Sequence, residues 1–178
     1  KLKAQALRRA LSSGINVVHS CVEYGTLPVL SSVLDELPNS HDLVHIIKMD
    51  VPNNDDNNVF YPDKFRRRVE DHLVALRTER IDILQYMWRV APGTGQESLP
   101  MLRRIIEDVR NVFDQLHSEG KAGYLMVFPS PDCIAETIET GQFSGLIGPC
   151  SLARLDYASY ERELKERQIG LLGFSPLH

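Results

Sequence analysis

Gly14-Ile15-Asn16-Val17-Val18-His19-Ser20-Cys21-Val22-Glu23-Tyr24-Gly25 is the stretch that separates two architectures. Its β-prone run, Ile15 to Val18, follows a helix: Ala6, Leu7, Ala10 and Leu11 lie at helical spacing, and Ser12-Ser13-Gly14 stops them. The alternation then repeats. Leu27 to Leu37 reads as helical, closed by Pro38 and Asn39, and Leu43 to Lys48 as a strand. Pro52 to Asn58, rich in Asn and Asp, reads as a loop. Asp63 is expected to cap a helix with Phe65, Val69, Leu73 and Leu76 inward, before a strand from Ile81 to Met87. A loop from Pro92 to Pro100 leads into a long helix carrying Leu102, Ile105, Ile106, Val109, Val112, Phe113 and Leu116 inward, ended by Gly120. Tyr124 to Phe128 is a strand, Cys133 to Thr140 a short helix and Leu146-Ile147 a strand remnant. Tyr157 to Arg167 is a charged amphipathic helix, and Gly170 to Phe174 closes the series as a strand.

Six strands separated by helices imply a parallel sheet covered by helices, either an open doubly wound sheet or a (β/α)8 barrel. A dinucleotide-binding doubly wound sheet carries Gly-x-Gly-x-x-Gly after its first strand. The run from His19 to Gly25 lacks it. Gly93-Thr94-Gly95 lacks both a third glycine and a phosphate-loop lysine, and reads as a turn. The dinucleotide-binding doubly wound sheet therefore loses support.

The 178 residues are 43% hydrophobic and 25% charged, which fits one globular domain over residues 1–178 and excludes a disordered or collagen-like chain. No apolar run approaches the roughly 20 residues that span a bilayer. A net charge of −4 argues against non-specific nucleic-acid binding. Three scattered cysteines, Cys21, Cys133 and Cys150, do not make a disulfide framework, which points to an intracellular, reducing compartment and to the cytoplasm first. His19 and Cys21 lie two apart on one strand face, yet no companion ligands follow, so no metal is expected. Arg66-Arg67-Arg68 reads as a solvated face or a partner contact, and Trp88 and Arg89 as residues of the barrel mouth.

Four segments carry a family resemblance. Gly14 to Gly25 resembles the aldo-keto reductase signature, in which a strand ends in Asp-Thr-Ala and a Tyr-Gly follows. Arg66 to Met87 is similar to that family's helix and the strand ending in its catalytic histidine. Gly120-Lys121-Ala122-Gly123-Tyr124 resembles the entry into the next strand, and Ile169 to Leu177 a late strand ending in Ser-Pro-Leu. The resemblance implies a (β/α)8 barrel of which about six strands are present, the first lying before Lys1, and the last strand and the main phosphate-binding loop after His178. It also implies a nicotinamide cofactor and carbonyl reduction at the C-terminal strand ends.

In that family a tyrosine gives a proton to the carbonyl oxygen, a lysine strengthens it as an acid, an aspartate pairs with the lysine, and a histidine orients the substrate. By resemblance Tyr24 takes the tyrosine position and Lys48 the lysine position, while His19 replaces the aspartate and Met87 the histidine. Imidazole supplies no permanent negative charge and a thioether donates no hydrogen bond. The Ser-Asn pair that holds the carboxamide falls on Phe128-Pro129, the glutamine near Ile147, and the stacking aromatic on Phe174. The expectation is therefore a catalytically inactive barrel that binds no cofactor and serves as a structural or interaction subunit beside other protein chains. The alternative is an NAD(P)H-dependent oxidoreductase reducing a carbonyl. A third reading uses Lys48 as a nucleophilic amine.

Overall fold

The computed structural model describes residues 2–36, 42–49, 60–88 and 95–177, with the side chains of residues 95–98 left aside. The expected helix closure at Pro38 and Asn39, the Pro52–Asn58 loop, Arg89 and the Gly93-Thr94 turn lie outside the described residues. Six strands are present: β1 (Val17–Ser20), β2 (Val44–Lys48), β3 (Ile81–Trp88), β4 (Ala122–Pro129), β5 (Gly145–Pro149) and β6 (Gly170–Phe174). All pair in parallel, in the order of the chain. A doubly wound sheet reverses its order at a switch point; this one never does, so the windings follow the barrel path. The helices are α1 (Leu2–Ser12), α2 (Leu27–Leu34), α3 (Pro62–Leu76), α4 (Gly95–Ser118), α5 (Ile134–Glu139) and α6 (Glu161–Glu166).

Strand alternation sorts the side chains. Val18, Ile47, Leu84, Tyr86, Leu125, Val127 and Leu146 face outward and pack with Leu73 and Leu76 of α3, Val109, Phe113 and Leu116 of α4, and Ile138 of α5. The residues between them face the other way. Ile46, Met126 and Ile147 form a second cluster with Ile83, Leu172 and Phe174. Ile46 belongs to β2 and Leu172 to β6, so the sheet must curl until its distant strands share one interior. This is a partial (β/α)8 barrel.

Several boundaries differ from the sequence reading. β1 begins two residues late because pairing starts at Val17, opposite Val44, and leaves Ile15 exposed. Asp63 does not cap α3. Tyr61 holds the cap position, Pro62 opens the helix with its φ already set, and Asp63 lies in the first turn, where its charge suits the helix dipole. α4 starts at Gly95 and runs through Pro100, an exposed position at which the missing N–H removes one backbone bond without ending the helix. Tyr157 is buried over Gly148, and that contact turns the expected long helix into a 3-10 turn, Ala158–Tyr160, followed by α6. Trp88 is only 3% exposed and packs in the outer layer rather than at the mouth.

Gly145 lets β4, β5 and β6 close up. A Cβ there would stand 2.8 Å from the Gly170 carbonyl oxygen and would also strike the Met126 methyl. Backbone cannot yield as a side-chain end can. Gly145→Ala is expected to cost about 1–3 kcal/mol of unfolding free energy, read as a lower urea midpoint at unchanged slope.

Candidate functional site

The strands end at a cavity of about 850 Å³ whose walls are mainly apolar. β1 delivers His19 to it, and the chain then makes a 3-10 turn, Val22–Tyr24. Gly25 closes that turn in the left-handed region, φ 59°, with its N–H donating to the Val22 carbonyl at 3.1 Å. A side chain at that φ is disfavoured, which is why glycine follows the tyrosine. Tyr24 is thereby turned back over the cavity. Lys48, the last residue of β2, brings Nζ to 5.6 Å from the Tyr24 ring centroid. The His19 ring meets Tyr24 edge to face at 5.8 Å.

β3 supplies Gln85 and Met87. Gln85 Nε2 donates to Met87 Sδ at 3.3 Å, and both side chains line the cavity with His19. Phe128 and Phe174 meet edge to face at 5.3 Å on the far wall, with Pro129, Ile147 and Leu172 beside them. The five singled-out residues, His19, Tyr24, Lys48, Met87 and Phe174, all line this one cavity.

Electrostatics at the mouth are organised by α3. Arg68 reaches from that helix to bond Glu23 Oε1 at 2.5 Å and the Lys48 carbonyl at 3.3 Å. Cys21 is fully buried and its thiol bonds Glu23. One guanidinium thus ties down the turn that holds Tyr24 and the strand end that holds Lys48. Burial pushes the Glu23 carboxyl upward, but the Cys21 and Arg68 hydrogen bonds outweigh it and hold the group at about 2. The Lys48 ammonium has no carboxylate partner among the described residues. His19 is held below the usual imidazole range, first by desolvation and further by the Lys48 charge, against the Gln85 hydrogen bond.

Two sequence readings change here. The arginine triplet is not uniformly a solvated face: Arg67 is exposed, but Arg66 pairs with Glu119 at 2.9 Å and Arg68 with Glu23. Cys21 turns to Glu23 and Arg68 while His19 lines the cavity, and no group of three metal-ligating side chains gathers among the described residues.

No family model and no curated protein sequence matches this chain. Solved structures do. An aldo-keto reductase from Bacillus halodurans in its holo form superposes with a TM-score of 0.71 at 16% identity, over 94% of this chain and 56% of its own. An aldo/keto reductase from Klebsiella pneumoniae, in complex with NADP and acetate, gives 0.69 at 16% identity, over 98% of this chain and 57% of its own. One from Pseudomonas aeruginosa gives 0.67 at 21% identity, over 95% and 64%. The fold is that of the aldo-keto reductases. The chain spans between half and two thirds of the length of these structures.

A holo form and an NADP complex among the matching structures overturn the expectation of a barrel without cofactor. That expectation rests on Phe128-Pro129, which lack amide side chains. Losing two side-chain hydrogen bonds removes only a small part of a cofactor's contacts, and the cavity and the Phe174 ring remain. Gln85 and Arg68 are the site residues that sequence reasoning misses. Gln85 left one signal, a polar residue in phase with Ile83 and Met87 on an otherwise apolar strand face.

Three histidines resist protonation. Desolvation holds His19, His45 and His72 below the ordinary value, with Lys48 acting further on His19 and Arg68 on His72. His72 Nδ1 donates to the Arg68 carbonyl at 2.7 Å, so its buried, unpartnered Nε2 carries the lone pair. The unfolded chain takes up these protons near pH 6.5 (about the free imidazole value), and the folded chain only at lower pH. Stability is therefore full above that pH and falls as pH drops through it. Urea unfolding at pH 8, 7, 6 and 5 is expected to show this decline, with a shallower slope in His72→Leu.

Proposed function

We propose that this barrel belongs to an NADP(H)-dependent oxidoreductase that reduces a carbonyl, with Tyr24 as the proton donor. The observation that carries the reading is the meeting of Tyr24 and Lys48 at the C-terminal mouth of an open, largely apolar cavity. The nicotinamide end of the cofactor fits this cavity: Phe174 and Phe128 would hold the ring, with Ile147 and Leu172 excluding water beneath it. When bound, the cofactor supplies the hydride. Tyr24 gives its hydroxyl proton to the carbonyl oxygen. Lys48 stabilises the negative charge left on the phenolate, and no carboxylate among the described residues competes for its ammonium. Met87 cannot orient the carbonyl by a hydrogen bond. It offers a polarisable wall to the apolar part of the substrate.

Arg68 serves this arrangement indirectly, by holding the Tyr24 turn and the end of β2 in register. The competing reading, an inactive interaction module, draws on Met87 and on Phe128-Pro129, which supply no donor to substrate or carboxamide.

Absorbance at the NADPH band, with the full chain at high concentration and a panel of aldehydes, ketones and quinones, tests the proposal. Turnover is expected, with kcat/KM lowered by roughly 100-fold or more in Tyr24→Phe and in Lys48→Met. Absence of turnover in the wild type, with NADPH bound, would hand the site to the interaction-module reading.

A further inference from the structure

Arg154 stands on a pinned segment of the cavity rim. After β5 the chain turns back on itself between Ser151 and Arg154, whose backbones exchange two hydrogen bonds. The Ser151 N–H donates to the Arg154 carbonyl at 3.2 Å, and the Arg154 N–H to the Ser151 carbonyl at 3.1 Å. Ser151 Oγ accepts from the Ala153 N–H at 3.2 Å, which tightens the turn. Just before it, the Cys150 N–H donates to the Phe174 carbonyl at 3.0 Å and ties the turn to the end of β6. Just after it, Tyr157 is buried over Gly148. Leu152 at the tip is fully exposed, whereas Arg154, Asp156 and Tyr157 line the cavity.

The guanidinium on this segment is under-used. Among the described residues its partner is Asp156, which it meets through Nη2 alone at 3.3 Å. A tight charge-assisted bond is shorter, roughly 2.7–2.9 Å, and the arginine fork suits two parallel bonds to one oxyanion. The Nε and Nη1 hydrogens meet no acceptor among the described residues. The other charged groups on the cavity walls are Lys48, beside Tyr24, and Asp132, which is itself engaged. Between Lys48 at the end of β2 and Arg154 beyond β5 the walls are mostly apolar, with Ile46, Met87, Phe128, Ile147 and Leu172 among them. A molecule whose carbonyl lies at Tyr24 and Lys48 and whose other end carries a negative charge finds one further cation in this cavity, and it is Arg154.

We propose that Arg154 is a specificity-determining residue that binds the carboxylate of the substrate, so that the substrate class is carbonyl compounds bearing an acid group, keto acids or aldehyde acids. The proposal rests on the carbonyl-reducing role of Tyr24 given above. Asp156 holds the guanidinium by one long bond and competes weakly for it; a substrate carboxylate offers two oxygens in one plane. A neutral ester of the same shape forfeits that pair. Half of the Arg154 side chain is exposed, so solvent screens the charge and the discrimination is modest, about tenfold rather than several orders of magnitude.

Paired substrates test it: para-carboxybenzaldehyde against its methyl ester, with NADPH and the full chain. The wild type is expected to favour the acid by about tenfold in kcat/KM, the difference lying in KM. Arg154→Gln should bring the acid-to-ester ratio near one by raising KM for the acid, with Arg154→Lys between the two. Asp156→Asn, which removes the rival carboxylate, should raise the ratio above that of the wild type. A second arm needs no turnover: terephthalate, which has no carbonyl to reduce, is titrated calorimetrically into the full chain and should bind about tenfold more weakly to Arg154→Gln. A wild type without preference for the acid, or a preference unchanged in folded Arg154→Gln, overturns the proposal. So does a variant that loses affinity for NADPH instead, since the oxyanion on Arg154 would then be a cofactor phosphate. Terephthalate binding that depends on Arg154, without NADPH oxidation on any carbonyl, would leave the carboxylate subsite standing and refute the proposed activity. Turnover with an acid-to-ester ratio indifferent to Arg154 would do the reverse.

Discussion

A parallel strand covered on both sides must divide its side chains between two different surroundings, and everything else in this molecule follows from that division. Outward residues such as Ile47, Leu84 and Leu125 are fully buried under the helices, each contributing roughly 1.5–3 kcal/mol through the area it removes from water. Inward residues need only fit a shared interior, and near the C-terminal ends they need not be apolar at all. His19, Lys48, Gln85 and Met87 all have the inward phase. A slip of one residue in β3 would send Gln85 into the helix layer and bring Tyr86 into the cavity. The outer core therefore fixes the site: the packing that stabilises the fold also chooses which side chains the cavity receives.

That coupling explains what could be read from the sequence. The six strands announce themselves because their apolar runs are short and bounded, and the helices between them carry clear inner faces. Helix ends are less legible. Asp63 is a good cap by type, but Pro62 starts the helix before it, and Pro100 is a breaker by type at an exposed site where one lost bond is tolerated. The strand phase also held information beyond the apolar runs themselves. Trp88 follows Met87 and must point the opposite way, into the outer layer where it is found. Proximity along the chain suggested the mouth; alternation decides against it.

The five candidate site residues came from the family resemblance, and the structure gathers them around one cavity at the strand ends. Gln85 and Arg68 were not legible, for a physical reason. Gln85 lines the cavity with residues of other strands, and Arg68 reaches a turn 45 residues earlier in the chain. A helix arginine beside two others gives no hint that one is solvent-facing by default and another spans to a carboxylate and a carbonyl. Only the packing of α3 against the sheet separates them.

The histidine at position 19, where the family resemblance sets an acidic residue, has to be weighed with Glu23, the carboxylate four residues on. Were Glu23 free, it would offer Lys48 a substitute counter-ion, and the charge pattern at the mouth would be restored by another route. It is not free: Arg68 and the Cys21 thiol occupy both of its oxygens. Its negative charge is therefore balanced from the helix side, and among the described residues the Lys48 ammonium faces the Tyr24 ring rather than a carboxylate.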